Sequence, residues 1–188
     1  MRVDEIVILT LKYLLNEKNE VEGRTLLQKT LYLLNEKLNL KISFIPYYYG
    51  PYSEKVSDAL QLLKSLGIIE EKVEIYPSEP WLSIFEPRLY KYIFTDFGLQ
   101  FANNVEKKHK EKAEKIEQAI QEIKKVFQKK TKILSIAGKM LIILKLKNEP
   151  MTPQKILEEA KALNWEISED DANQAICSLE KIGLIKTD

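Results

Sequence analysis

The sequence predicts a mainly α fold with small β wings, in which two winged-helix-like units are joined by a long helix. Three observations predict it. An amphipathic helix stops at a glycine and releases a short apolar run twice, as SLGIIEEKVEIYP around Gly67 and as EKIGLIKTD around Gly183. Two further helical patterns precede each of those helices. Between the copies, residues 96–130 contain no proline and a single glycine, Gly98. The expected units are residues 1–95, a connecting or dimerisation helix over 96–131, and a smaller unit over 132–188.

In the first unit, Ile6, Leu9, Thr10 and Tyr13 share one helical face, and Leu27, Leu31, Leu34 and Leu38 share another, with Glu22-Gly23 breaking the chain between them. KISFIPYYYGPY reads as extended or turn-like, punctuated by Pro46, Gly50 and Pro51. Ser53 suits an N-cap, and Glu54 the positive end of a helix dipole. Val56, Ala59, Leu60 and Leu63 form the inner stripe of the third helix, which Gly67 ends as a C′ residue. GIIEEKVEIYP then reads as a wing strand, PSEPWLSIFEPR as the wing loop, and the aromatic and β-branched LYKYIFT as the return strand.

In the long helix, Ala113, Ile116, Ile120, Ile123 and Phe127 step by alternating threes and fours, a seam of about two heptads. It serves either to pair two chains or to lie on the units it connects. In the second unit, Ile133, Ile136, Met140 and Ile143 mark a first helix, and Thr152-Pro153 starts a second, with Thr as N-cap and Pro at N1. Ser168 caps a third, with Ala172, Ala175, Ile176, Leu179 and Ile182 inward, before Gly183 releases LIKT as a strand.

Composition narrows the function. Net charge is +1, but residues 97–132 hold ten basic against five acidic side chains. With one histidine, His109, and one cysteine, Cys177, no Cys/His zinc site and no Cys–His pair with an obvious third member is visible. No P-loop or GxGxxG is present, so neither an enzyme nor a bound cofactor is expected. No stretch reaches the roughly 18 apolar residues of a membrane span. The N-terminus reads as a helix of the fold rather than a signal peptide, and a lone cysteine fits a reducing cytoplasm.

Three segments could contact a partner. In Tyr47-Tyr48-Tyr49-Gly50-Pro51-Tyr52-Ser53, four tyrosines precede the third helix, with one or two expected to be buried. Exposed tyrosines there would touch phosphates through their hydroxyls or form a protein-binding surface. The third helix presents Glu54, Lys55, Ser57, Asp58, Gln61 and Lys64 outward. In a DNA reader, Gln61 would meet adenine and Lys64 guanine, although two acids offset the two bases. The lysines of the long helix (Lys107, Lys108, Lys110, Lys112 and Lys115, then Lys124, Lys125, Lys129, Lys130 and Lys132) are interleaved with glutamates at pairing distance, the pattern of a solvated face. His109 is expected to be exposed on it.

The Leu27-Gln28-Lys29 run, the Tyr49-Gly50-Pro51-Tyr52-Ser53 turn and the Gly67-Ile68-Ile69-Glu70 strand entry resemble the pattern of Panacea (SocA-like) antitoxin domains and of winged-helix proteins of the YwgA kind, over residues 23–71. The resemblance implies a small regulatory or toxin-neutralising role without catalysis. A winged helix followed by a long helix is also similar, in architecture alone, to PadR-type regulators that dimerise through that helix.

The expected function is double-stranded DNA binding in transcriptional regulation, as a homodimer. Arg24, Lys29 and Lys55 would hold phosphate, Tyr48, Tyr49, Tyr52 and Ser53 would brace the backbone, and Gln61 and Lys64 would read bases. The alternative is an adaptor or antitoxin-like module that docks a protein through the tyrosine turn and the third helix.

Overall fold

The computed structural model describes residues 1–75, 88–128 and 130–186. The wing loop expected over most of PSEPWLSIFEPR, and Lys129, lie outside the described residues. The chain is mainly helical with small antiparallel sheets. Its elements run α1 (Val3–Leu14), β1 (Glu20–Glu22), α2 (Arg24–Leu38), β2 (Ile45–Tyr47), β3 (Gly50–Tyr52), α3 (Glu54–Ser65), β4 (Ile69–Ile75), β5 (Arg88–Phe94), α4 (Asp96–Lys108), α5 (Lys110–Phe127), α6 (Thr131–Lys147), α7 (Pro153–Ala162) and α8 (Glu169–Lys181).

The three-stranded sheet has the order β1-β5-β4, with both pairs antiparallel, and β4 meets β5 from Ile69 opposite Phe94 to Ile75 opposite Arg88. The expected return strand is therefore β5. Val21 and Tyr92, opposite one another, turn into the core. β2 and β3 form a separate hairpin.

The repeated glycine phrase is a repeated helix stop. Gly67 has φ +66° and Gly183 φ +70°. The Ile68 N–H donates to the Leu63 carbonyl at 2.9 Å, and the Leu184 N–H to the Leu179 carbonyl at 2.9 Å. These are the two 6→1 bonds that satisfy helix-end carbonyls once a left-handed residue turns the chain. The copies diverge afterwards. Ile69 enters a sheet, whereas residues 184–186 form no strand. The expected strand at LIKT is thus corrected over its described residues: the described part of the second unit holds no other strand for it to pair with.

α2 is the centre of the molecule. Residues Leu27 to Asn35 are all buried, a helix covered all round. Leu27, Leu31 and Leu34 join a core built with α1, α3, α4 and the first part of α5. Tyr32 and Leu33 join a second core with α6, α7, α8 and Trp165. The second unit therefore packs on the first through α2, with α6 also touching β2 and β3.

The long helix differs from expectation in two ways. It breaks at His109, whose φ −122° and ψ 37° separate α4 from α5. The break lets the chain fold back onto α1. Glu5, buried on α1, accepts from the Lys108 ammonium at 3.0 Å and lies 3.2 Å from His109 Nε2. His109 is accordingly half-buried, not exposed. Second, the seam faces inward: Ala113, Ile116 and Ile120 belong to the first core, Ile123 and Phe127 to the second. The stripe that could have paired two chains is occupied within one. Its basic face is partly neutralised by Lys108–Glu5, Lys115–Glu111 and Lys132–Asp171. Among the described residues, no helix is long and apolar enough to cross a membrane.

Candidate functional site: the tyrosine hairpin and its support

The β2–β3 hairpin pairs Ile45 with Tyr52, Pro46 with Pro51 and Tyr47 with Gly50, leaving Tyr48 and Tyr49 at the tip. Gly50 has φ +104°, a conformation that side chains with a Cβ rarely adopt. A proline on each strand removes two ladder donors, so so short a ribbon cannot hold itself. It is held from beneath.

Four side chains supply that support. Gln28 on α2 brackets Ser53: its Nε2 donates to the Ser53 carbonyl at 3.1 Å, and its Oε1 accepts from the Ser53 N–H at 3.0 Å. Lys29 Nζ donates to the Pro51 carbonyl at 2.8 Å. Ser135 Oγ on α6 donates to the Tyr49 carbonyl at 3.3 Å. Trp165 Nε1 donates to the Tyr47 carbonyl at 3.1 Å. Gly138 on α6 faces Pro51, and a Cβ there would make ordinary contact with the Pro51 ring at 3.4 Å. The Leu27-Gln28-Lys29 run and the Gly-Pro-Tyr-Ser turn are therefore two halves of one hydrogen-bonded unit. Ser53 also caps α3, its Oγ accepting from the Val56 N–H at 3.4 Å.

Held this way, the hairpin presents aromatic surface. Tyr48 is 77% and Tyr49 72% exposed, with Tyr47 and Ile45 exposed beside them. Tyr52 is half-buried, so none of the four tyrosines is buried; the expectation of one or two in the core is corrected. Gln28, Leu27 and Leu31 occupy that core instead. Tyr47 packs edge-on against Tyr48 at 4.9 Å and at a tilt against Tyr52 at 5.2 Å.

The residues expected to hold phosphate are placed differently. Arg24 donates to Glu71 at 3.0 Å and to the Tyr92 hydroxyl at 3.2 Å, and lies 4.0 Å from the Tyr90 ring centre. Lys64 pairs with the same Glu71 at 2.7 Å. Burial raises the Glu71 carboxyl pKa, but the bonds from Lys64 and Arg24 outweigh it and hold the group below its usual range. Two of the named cations thus neutralise one acid on β4. Lys29 is 3% exposed under the hairpin. Lys55 and Gln61 stay exposed on α3.

Sequence reasoning missed Lys139, Trp165, Ser135 and Glu71. Lys139 carried a signal: it is the one charge in the apolar run ILSIAGKMLIIL. Its ammonium lies 5.4 Å from the Trp165 ring centre. Lys29 and Lys139 converge on Gly50, where an added Cβ would meet Lys139 Cγ at 3.0 Å and Lys29 Cε at 3.1 Å. Burial, with the Lys139 charge nearby, pushes Lys29 down to about 8. Burial also lowers Lys139.

No protein-family model matches the chain, and no curated protein matches its sequence.

Proposed function

We propose that this chain is a protein-binding module that docks a partner through the β2–β3 hairpin. The observation that carries the reading is the tip itself: two tyrosines more than 70% exposed on a ribbon whose backbone is fixed at four points. Tyrosine supplies large contact area with few rotatable bonds, and a pre-ordered backbone lowers the entropic cost of binding. The pairing of Arg24 and Lys64 with Glu71 favours a protein over a polyanion, because both cations are already engaged.

The reading is tested by comparing wild type with Tyr48→Ser/Tyr49→Ser. The partner is captured, identified, purified and titrated against both. Exposed tyrosines are dispensable for folding, so the variant should melt like wild type while binding weakens by about thirty-fold or more, as for a hot-spot pair worth at least 2 kcal/mol. Unchanged affinity refutes the reading.

A second reading has its own support. The order β1-β5-β4 behind α1, α2 and α3 resembles that of a winged helix, in which α3 would enter a DNA groove with Lys55 and Gln61 outward. This rests on analogy of fold. A salt series on generic duplex DNA with Lys55→Glu/Lys64→Glu tests it: steeply salt-dependent binding lost in the double variant would support DNA contact.

A further inference from the structure

We propose that Lys29 and Lys139 form a cradle beside Gly50 that takes the carboxylate of an acidic side chain from the protein docked on the hairpin. The inference rests on the docking reading above and specifies the chemistry of the partner.

The site beneath the hairpin carries an unbalanced charge. A buried ammonium normally has a counter-ion and acceptors for its three N–H donors. Lys29 has one acceptor, the Pro51 carbonyl, and no ion pair among the described residues. A second cation stands beside it instead: Lys139 likewise lacks a carboxylate partner among the described residues, and its neighbour is the Trp165 ring. The two stems meet where Gly50 has no side chain, so a Cβ there would crowd both. Elsewhere the molecule pairs its half-buried cations: Lys91 lies within 4 Å of Glu20, Glu22 and Glu74, and Lys12 bonds Glu106. The unpaired couple is thus a departure from the chain's own habit, placed under the tyrosine hairpin. An incoming carboxylate would supply the missing charge and accept from Lys139, relieving the repulsion between the two cations. Burial and the nearby Lys139 charge lower the proton affinity of Lys29, and burial lowers that of Lys139.

The chain has two tryptophans, so Trp81→Phe leaves Trp165, with Lys139 over its ring, as sole reporter. Hexaglutamate is titrated into this protein while fluorescence is followed, against sodium chloride at matched ionic strength. The expected result is a saturable change that sodium chloride does not reproduce, kept in Lys139→Arg and weakened at least tenfold in Lys139→Met. Lys139→Met leaves the Lys29–Pro51 bond intact, so folding is preserved. A change equal in sodium chloride, or undiminished in Lys139→Met, overturns the cradle. A Lys139-dependent response to duplex DNA in place of hexaglutamate overturns its assignment to an acidic protein segment. The titration needs no partner, so it fails or succeeds separately from the tyrosine double variant, which reads the hairpin alone.

Discussion

Replacing Gln28 by Met should loosen the hairpin and cost the fold several kcal/mol. The side chains are similar in volume, so the change leaves no large cavity and isolates the polar term. Two hydrogen bonds, of 3.1 and 3.0 Å, disappear, and both belong to the buried backbone of Ser53. Each buried group left without a partner costs about 1–3 kcal/mol, giving roughly 2–6 kcal/mol together. With a urea m-value near 2.5 kcal/mol/M, at the upper end of the range for small proteins, the midpoint should fall by about 1–2.5 M. Amide exchange at Ser53 should accelerate beyond the global change. Gln28→Glu sharpens the test. Its carboxylate can accept from the Ser53 N–H but cannot donate to the carbonyl, and burial raises its pKa. That variant should approach wild type near pH 4, where a protonated carboxyl donates, and lose stability as pH rises through its folded pKa. A midpoint shift below about 0.3 M for Gln28→Met would refute the claim that this pair fixes the hairpin.

Other predictions follow the same reasoning. Glu5 is held at about 2 because, against the raising effect of burial, it accepts from the Arg2 N–H, Lys108 and His109. Its stabilisation is fully present above the ordinary value of 4.5 and is lost as pH falls toward 2, so Glu5→Gln should flatten the acid limb of a pH–stability curve. Lys29, lowered from 10.5 to about 8, binds its proton less tightly folded than unfolded. Wild type should therefore gain on Lys29→Met as pH rises from about 8 to 10.5, by thermal melting across that window. Gly98→Ala would push a Cβ into the Ile68 carbonyl, where α4 crosses the start of β4. Overpacking against backbone should destabilise by about 1–3 kcal/mol or more, measurable in urea. If α3 does meet DNA, Glu71→Gln should free Arg24 and Lys64 and tighten duplex binding in fluorescence anisotropy; no change would separate those cations from any DNA surface.

Local rules were legible in the sequence, and long-range partners were not. Ser53, Thr152 and Ser168 read as N-caps, and each hydroxyl accepts from the N–H three residues on. Gly67 and Gly183 read as helix stops because only a left-handed residue ends a helix that way cheaply. The apolar seam of α5 was visible, but periodicity cannot say whether a stripe covers its own chain or another. The break at His109 has no proline or glycine to announce it, and the contact His109 makes there, with Glu5, lies more than 100 positions away. β1 is three residues long and exists because β5 lies beside it. For the site, the tyrosines, Lys29 and Ser53 were legible as a cluster. Their order was not, because it depends on Gln28 reaching across 25 positions and on Trp165 reaching across 118.

The burial of α2 on every side has a further consequence. A helix that lines two cores cannot be released from one while remaining seated in the other, since Leu33 and Leu34 are neighbours in sequence but belong to different interiors. Cutting the chain between α5 and α6 would leave Tyr32 and Leu33 as a greasy stripe in water. The molecule should therefore behave as a single thermodynamic object, melting in one step with the heat capacity of its whole length. Any load placed on the hairpin is then resisted by all the described helices at once rather than by the unit in which it sits.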